Sequence, residues 1–244
     1  MRKIGVISDI HGDLAALKVA LPYLQQEGCE EIIHTGDAVL IGAKSRECLE
    51  MLLSNNVVCL LGNHDKDFVD DNVVQKPFSH VPAGHKRFVF DSISDLRGVV
   101  AKFPLFTERV CGGKKIVFEH YCRLPQISPE GYIFHEITSE HPDEQGFDEI
   151  YAPYEHDVAF FGHKHEPCDK QGKRLYVDVG SVGCHPEPLA CGIVIEYDDT
   201  HFSYRRFYLP YDKHVTEEEM QKIPYGKFLF DFYYMRLKNL KMDF

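Results

Sequence analysis

The sequence predicts an α/β protein built from two β-sheets with helices on their outer faces. Short apolar, β-branched runs alternate with helix-compatible stretches in the first part of the chain, which favours a parallel sheet. Further strand-like runs in the second half indicate a second sheet. The length of 244 residues and the hydrophobic content of 44% allow one sizeable domain plus accessory segments.

The first strand is predicted at residues 3–8, where an apolar run ends in a tight loop. A helix follows, because four leucines recur at helical spacing: Leu14, Leu17, Leu21 and Leu24. We interpret Asp13, at the start of this helix, as its N-cap rather than as a metal ligand. The pattern repeats with strands at 31–34 and 57–61 and a helix at 45–54 between them.

The second half of the chain is predicted to be richer in strands. Residues 67–102 are mostly helix-compatible, and strands are then predicted at 105–111 and 115–119. Four more strand-like runs are assigned to the second sheet: 158–161, 175–179, 192–197 and 202–209.

We predict a main domain at residues 1–210 with a cap-like insertion at about 121–156, and an extension at 211–244. The insertion is rich in Pro, Gly, Glu and His and joins two polar motifs, so we expect it to shape access to a site. The extension has a predicted helix starting near Thr216, followed by aromatic residues that can pack on the core or on a second copy of the chain. A homodimer through this segment is one expectation.

Net charge, apolar runs and cysteine spacing limit the classes of function to be considered. The formal charge of −11 argues against a broad nucleic-acid footprint, which needs clustered Lys and Arg. No apolar stretch approaches the roughly 18 residues of a membrane span. The eight cysteines form no Cys-x-x-Cys pair, so we expect reduced thiols in a cytoplasmic protein, and Cys122 is the cysteine nearest a motif.

Five short polar motifs, most of them ending predicted strands, together indicate a site for two metal ions. In chain order they are Asp9-Ile10-His11, Gly36-Asp37, Gly62-Asn63-His64-Asp65, Glu119-His120 and Gly162-His163-Lys164-His165. Each motif is weak evidence by itself, but five in this order are strong. Ligands of parallel sheets gather at the carboxyl ends of strands, and two divalent cations held close together need carboxylate, imidazole and amide ligands.

The spacing of these residues suggests how they are shared between the two ions. Asp9 and His11 lie two residues apart and are expected to face one ion, and His163 and His165 have the same relation. Asp37 stands alone between the first and third motifs, so we expect its carboxylate to bridge the ions with one oxygen on each.

The third motif mixes ligand and catalytic candidates. Asn63 offers an amide oxygen, and His64 is expected to point beside the metals as a catalytic acid. Asp65 either accepts a hydrogen bond from His64, fixing its orientation, or only begins a helix. Arg123, three residues after His120, is a candidate substrate contact because guanidinium binds phosphate oxygens bidentately. Asn63 and His64 are also candidates for substrate binding.

These ordered motifs resemble those of the calcineurin-like metallophosphoesterase family, particularly its small prokaryotic members, over roughly residues 1–197. The resemblance implies a four-layer α/β/β/α sandwich of two facing mixed sheets flanked by helices. It also implies that His64 is the catalytic histidine and that the metals are bound in two overlapping sets: Asp9, His11, Asp37 and His165, and Asp37, Asn63, His120 and His163. The chain departs from the family pattern at Tyr121, where glycine is common, and at Val179 in the downstream turn. We expect the turn 180–183 to lie behind the site and to be positioned by backbone rather than side chains.

The mechanistic hypothesis is hydrolysis by a metal-bridging hydroxide, with His64 protonating the leaving oxygen. The expected substrate is a phosphorylated small molecule or nucleotide carrying a phosphodiester or phosphoanhydride bond. Asymmetric diadenosine tetraphosphate hydrolysis is the main alternative, and a protein phosphatase or a non-catalytic scaffold is a weaker one. We expect manganese or a mixed iron–manganese pair, although zinc, nickel or cobalt also suits such ligands.

Overall fold

The computed structural model describes residues 1–74, 80–126, 131, 133–135 and 141–236. Parts of the predicted cap (127–130, 132 and 136–140) and the end of the predicted extension (237–244) lie outside the described residues. Within the described residues, no helix is both long enough and apolar enough to cross a membrane.

Ten strands form two five-stranded sheets in the described part of the chain. The strands are β1 (Arg2–Ile7), β2 (Glu31–His34), β3 (Val58–Cys59), β4 (Phe106–Cys111), β5 (Lys114–Glu119), β6 (Val158–Phe161), β7 (Cys168–Gln171), β8 (Leu175–Asp178), β9 (Leu189–Tyr197) and β10 (Phe202–Pro210). The first sheet has the order β10-β9-β1-β2-β3 and the second has the order β4-β5-β6-β8-β7. Both sheets are mixed, since β1, β2 and β3 run parallel, as do β5, β6 and β8, while the other strands pair antiparallel.

Eight α-helices accompany these sheets within the described ranges. They are α1 (Leu14–Gln26), α2 (Ser45–Ser54), α3 (Asn63–Val69), α4 (Ala83–Ser92), α5 (Arg97–Val100), α6 (Glu144–Ile150), α7 (Lys213–Met220) and α8 (Gly226–Leu229). A 3-10 turn (Ser94–Leu96) precedes α5, and a π-helical turn (Phe230–Tyr234) follows α8. Helix α2 has its predicted bounds, whereas α7 begins three residues before the predicted Thr216.

Alternating side chains explain why the molecule has four layers. Along β1, Ile4 and Val6 belong to one buried cluster and Ile7 to another. Along β6, Val158 and Phe160 share the cluster of Ile4, whereas the neighbouring residues pack elsewhere. Since successive strand residues point to opposite faces, each sheet buries both faces, one on the other sheet and one under helices. This confirms the predicted α/β/β/α sandwich.

Aromatic rings join the two sheets directly. Phe160 of β6 forms a T-shaped contact with Tyr204 of β10 in the other sheet, with ring centroids 5.6 Å apart, and stacks at 5.5 Å on Phe118 of the neighbouring strand β5. Phe118 and Phe160 are fully buried, and each such side chain stabilises the fold by roughly 1.5–3 kcal/mol.

The assignment of residues 192–197 and 202–209 to the second sheet was wrong. Strand β9 pairs antiparallel with β1, with Ile195 opposite Ile4, and β10 pairs with β9, so both extend the first sheet. A local apolar pattern specifies a strand but not the partner it finds across the fold. The short strand β7 was not predicted, because its residues Cys168–Gln171 alternate between half-buried and exposed and include no apolar run.

Asp13 caps α1 as predicted. Its Oδ1 accepts a hydrogen bond from the Ala16 N–H at 3.0 Å and another from the Thr216 hydroxyl at 2.9 Å. Its Oδ2 accepts one from the Tyr211 hydroxyl at 3.1 Å. The cap therefore also joins α1 to α7 and the C-terminal extension.

The aromatic residues of the extension pack on the core of their own chain, the first of the two alternatives. Leu229 and Tyr234 are fully buried and Phe230 is nearly so, within the larger core cluster. Phe228 and Tyr233 are half-buried against the same cluster. The homodimer stays a prediction.

Candidate metal centre

The polar motifs lie in the loops at the carboxyl ends of the central parallel strands. The loop after β1 carries Asp9 and His11, and the loop after β2 carries Asp37. The loop after β6 carries His163 and His165. All five have left-handed backbones, with φ between 50° and 75°. Such a conformation costs of order 1–3 kcal/mol per residue and persists only where the surrounding structure holds it. Backbone strain is therefore concentrated where the candidate ligands lie.

The first group of candidate ligands brings together Asp9, His11, Asp37 and His165. The His11 and His165 Nε2 atoms are 2.8 Å apart, and Asp9 Oδ1 lies 3.2 Å from His165 Nε2 and 3.6 Å from His11 Nε2. Asp37 Oδ2 lies 3.8 Å from His11 Nε2. All four residues are at least nine-tenths buried. These contacts match the first set implied by the resemblance.

The second group brings together Asp37, Asn63, His120 and His163. His120 Nε2 is its centre, lying 3.0 Å from Asn63 Oδ1, 3.0 Å from His163 Nδ1 and 3.3 Å from Asp37 Oδ2. His120 is fully buried at the end of β5. The group contains the residues of the second implied set.

Asp37 stands between the groups, but in a different way from the prediction of one oxygen for each ion. Its Oδ2 faces both His11 and His120, while its Oδ1 accepts a hydrogen bond from the His64 N–H at 2.8 Å. Because Oδ1 accepts the His64 N–H, Oδ2 alone faces both groups of candidate ligands. This oxygen is the geometric link between the two halves of the site.

The donor set fits divalent cations. Two imidazole nitrogens that face each other at 2.8 Å share at most one proton, and the nearby Asp9 Oδ1 is buried without a hydrogen-bond partner among the described residues. Nitrogen and carboxylate donors converging in this way suit transition-metal ions. The His and Asp clusters of this protein could therefore hold metal.

Electrostatics support the same conclusion. Burial acts to raise the pKa of Asp9, but His165 and His11 hold it well below its usual range. Burial acts to lower the pKa of His120, but the Asp37 carboxylate outweighs this and raises it to about 9. Without metal, buried negative charge is thus balanced by a proton on His120. A bound cation would displace that proton.

His64 lies next to the first group, and its ligand atom is within 4.8 Å of those of His11 and Asp37, so the geometry also allows it as a metal ligand. It occupies the first turn of α3, its ring centroid is 5.2 Å from that of His11, and its Nε2 is 4.0 Å from Asp37 Oδ2. Its Nδ1 is buried and has no hydrogen-bond partner in the described part of the chain. Burial lowers the pKa of His64 to about 4, against the opposing effect of Asp37, so the free imidazole is neutral at neutral pH.

Asp65 does not orient His64, which corrects its predicted catalytic role. Its carboxylate accepts hydrogen bonds from four backbone N–H groups, those of Asp37 at 2.7 Å, Gly62 at 3.0 Å, Ala38 at 3.1 Å and Val39 at 3.3 Å. As the third residue of α3, it caps the helix start, which was the other reading. Asp65 therefore fixes the two loops that carry Asp37 and Asn63.

Arg123 contacts an acidic and two aromatic neighbours, and its assignment as a substrate contact stays a prediction. It donates a hydrogen bond to the buried Glu119 carboxylate at 2.8 Å, and its guanidinium lies 3.5 Å from the Phe106 ring centroid and 4.5 Å from that of Tyr154. Burial raises the pKa of Glu119 to about 7, and Arg123 opposes this. A buried carboxylate needs a counter-charge, and Arg123 supplies it.

The turn at residues 180–183 lies behind the site as expected, but a side chain takes part in it. Ser181 donates its hydroxyl proton to the Asp9 carbonyl at 2.6 Å, and the Cys184 N–H donates to the same hydroxyl at 2.8 Å. Gly180 has φ of 82°, a conformation that favours glycine. This turn supports the strained backbone of Asp9.

Three residues near the site were not predicted. The Cys184 sulfur lies within 4.8 Å of ligand atoms of both His11 and His165, so Cys184 rather than Cys122 is the cysteine at the centre. The Tyr233 ring centroid is 6.3 Å from that of His165, and Arg236 donates to the His165 carbonyl at 3.3 Å. No local motif marks these residues, because the fold of the C-terminal extension brings two of them to the site.

Comparisons with known proteins agree with this architecture. A relative from Methanocaldococcus jannaschii, the uncharacterized protein MJ0912, is 25% identical over 238 residues, covering 90% of this chain and 92% of its own length. The crystal structure of the hypothetical protein PH1004 from Pyrococcus horikoshii has a TM-score of 0.73 at 20% identity, with 96% of this chain and 98% of that chain covered. A metallophosphoesterase from Sphaerobacter thermophilus has a TM-score of 0.69 at 19% identity, with 91% and 95% covered.

The family follows from the sequence itself. The model of the calcineurin-like phosphoesterase superfamily domain matches residues 2–200, which include all seven candidate ligands and every strand of both sheets except β10. The chain therefore belongs to the calcineurin-like phosphoesterase superfamily.

Proposed function

We propose that this protein is a metal-dependent phosphoesterase with two metal ions that hydrolyses phosphodiester or nucleotide phosphoanhydride bonds. The observation that carries the proposal is the convergence of two sets of buried ligand atoms on a single oxygen, Asp37 Oδ2. This arrangement suits a pair of cations that share one carboxylate.

Each ion would be held by one group of residues. Asp9, His11, Asp37 and His165 would hold the first, and Asp37, Asn63, His120 and His163 the second. When bound, the cations supply an activated water as nucleophile and neutralise charge that develops on the phosphoryl oxygens. We favour manganese or a mixed iron–manganese pair, and zinc, nickel or cobalt also suits these donors.

His64 would act as the proton donor to the leaving oxygen. Two contacts hold His64 in place. Its backbone N–H donates a hydrogen bond to Asp37 Oδ1, and its ring packs beside the His11 ring. Burial disfavours the imidazolium form, and a bound phosphate anion favours it. Substrate binding would thus charge His64 when the proton is required.

The expected substrate class follows from the charge of the metal centre rather than from the net charge of the chain. A pair of cations attracts phosphate oxygens locally even on a chain whose net charge is −11. Phosphodiesters and dinucleoside polyphosphates both present such oxygens, so both belong in the test.

The test is hydrolysis by metal-stripped protein reconstituted with manganese. The substrates are an aryl phosphodiester, an aryl phosphomonoester and diadenosine tetraphosphate. We expect His64→Ala to keep its metal but to lose kcat by roughly 100-fold or more, the usual contribution of a general acid. The loss should be larger for a substrate whose leaving alcohol has a higher pKa, because such a group depends more on the donated proton. His214→Ala is the matched control, since the His214 side chain is 89% exposed.

The results separate the alternatives. The preferred substrate distinguishes a diesterase from a hydrolase of dinucleoside polyphosphates. Equal losses for good and poor leaving groups would contradict the role of His64 as an acid. If no metal supports turnover of any of the three substrates, the enzyme proposal fails and a non-catalytic scaffold becomes the better explanation.

A further inference from the structure

The C-terminal extension reaches the first group of candidate ligands. After α8 the chain makes its π-helical turn, in which the buried Tyr234 ring stacks on the Phe230 ring with centroids 5.1 Å apart. The neighbouring Tyr233 ring lies 6.3 Å from the His165 ring. The turn is thus packed into the core on one side and faces the metal centre on the other.

Lys213 links the π-helical turn to the loop that follows β8 through hydrogen bonds. Its ammonium group donates hydrogen bonds to the carbonyls of Tyr234 at 2.7 Å, His185 at 3.0 Å and Pro186 at 2.7 Å. These three acceptors belong to two separate segments of the chain. The backbone just before Arg236 is therefore held in place rather than free.

Arg236 is turned back toward the centre by a left-handed backbone, with φ of 55°. Its guanidinium donates one hydrogen bond to the His165 carbonyl at 3.3 Å. Among the residues that the structure describes, no carboxylate forms an ion pair with it, whereas the half-buried Arg123 and Arg206 face Glu119 and Asp169. Arg236 is thus a half-buried cation beside a ligand without an anionic partner in the described chain.

A second cation, Lys213, lies within electrostatic range of Arg236. The charge of Arg236 acts on His165, Cys184 and Tyr233, and it adds to burial in lowering the pKa of Lys213. Lys213 itself bonds only to carbonyls. Two neighbouring cations with neutral acceptors favour an anion between or beside them.

We propose that Arg236 contacts the phosphate group of the substrate beside the ion held by Asp9, His11, Asp37 and His165. The inference rests on the proposed function and assigns a substrate-binding residue to the C-terminal extension. The guanidinium has donors left after the bond to His165, and its planar fork suits phosphate oxygens.

The experiment is calorimetric binding of inorganic phosphate to the manganese-loaded full chain, with metal content measured in each sample. Arg236→Ala should weaken phosphate binding by roughly tenfold to hundredfold while two metal ions per chain are retained. Arg236→Lys should recover part of the affinity, because it keeps the charge but not the fork. Lys227→Ala is the matched control on the same segment, since Lys227 is 72% exposed and pairs only with Asp231 among the described residues. Its affinity should equal that of the wild type.

Several results would overturn the inference. Unchanged phosphate affinity in Arg236→Ala contradicts it, and so does an absence of phosphate binding by the wild type. Loss of a metal ion in Arg236→Ala would show that the residue only holds His165. If Arg236→Ala weakens phosphate binding but the wild type hydrolyses no ester, the phosphate contact stands and the proposed catalytic function fails.

Discussion

The candidate ligands depend on close backbone contacts as much as on their own side chains. Asp37 keeps its left-handed backbone because Asp65 accepts hydrogen bonds from its N–H and from the two that follow. Gly62 lies directly against the Asp37 carboxylate, and Gly162 lies against Ser8 and Asp9. Glycine is needed at both positions because a Cβ atom would occupy the space of the neighbouring carboxylate.

Gly62→Ala should therefore weaken metal binding by tenfold or more and lower the free energy of unfolding by about 1–3 kcal/mol, the range for overpacking. The new methyl group would overlap the Asp37 carboxylate and backbone N. Calorimetric manganese titration and urea unfolding measure the two effects. Gly98→Ala in α5 is the control, because a Cβ there would meet nothing within 4 Å. Wild-type metal affinity in Gly62→Ala would contradict the role of this close approach.

Helix α4 shows how a buried titratable group joins an element to the rest of the fold. His85 is fully buried, and its Nδ1 donates to the Pro224 carbonyl at 2.9 Å, which ties α4 to the segment before α8. Burial lowers the pKa of His85 to about 4, against the opposing hydrogen bond to Pro224. The folded protein therefore holds this ring neutral under conditions in which the unfolded chain would protonate it.

The sign of the pH dependence follows. Because the folded pKa lies below the unfolded value near 6.5, the contribution of His85 to stability is complete above about pH 6.5 and is lost as the pH falls toward 4. The loss is about 3 kcal/mol by pH 4. In His85→Asn, the free energy of unfolding measured in urea should fall less between pH 7 and pH 5 than in the wild type. The exposed His214→Asn should keep the wild-type slope, and equal slopes in all three proteins would refute the prediction.

The candidate metal centre joins the two halves of the molecule. The loops of the first sheet and α3 contribute Asp9, His11, Asp37 and Asn63, and the loops of the second sheet contribute the remaining candidate ligands: His120, His163 and His165. The His163 N–H also donates to Asp9 Oδ2 at 2.9 Å across the same junction. Ions bound there would link the sheets in addition to the apolar core between them.

Metal removal should therefore lower the stability of the entire chain. A cation present at 100 times its dissociation constant stabilises the folded state by about 2.7 kcal/mol per site. The melting temperature should fall when a chelator is added and recover with manganese. Asp37→Asn should respond much less to either treatment, because the shared oxygen carries less charge. If neither the chelator nor manganese changes the wild-type melting temperature, the ions do not link the two sheets.

Much of the fold and the centre could be predicted because the signals are local. The motifs predicted which residues would meet, and the structure brings all seven candidate ligands together, although their roles as ligands stay predictions. The errors concern relations between distant segments. The pairing of β9 with β1 depends on packing that no short stretch of sequence specifies.

By itself, the sequence determined the alternation of strands and helices, the loops that carry Asp9 and Asp37, and the family. Those properties depend on apolar periodicity and on residue types within a few positions of one another. Only the tertiary structure decided that Asp65 supports two loops, that one oxygen of Asp37 faces both groups, and that Arg236 reaches His165. Each of these contacts joins segments far apart in the chain, so it exists only once the sheets and the C-terminal extension have packed.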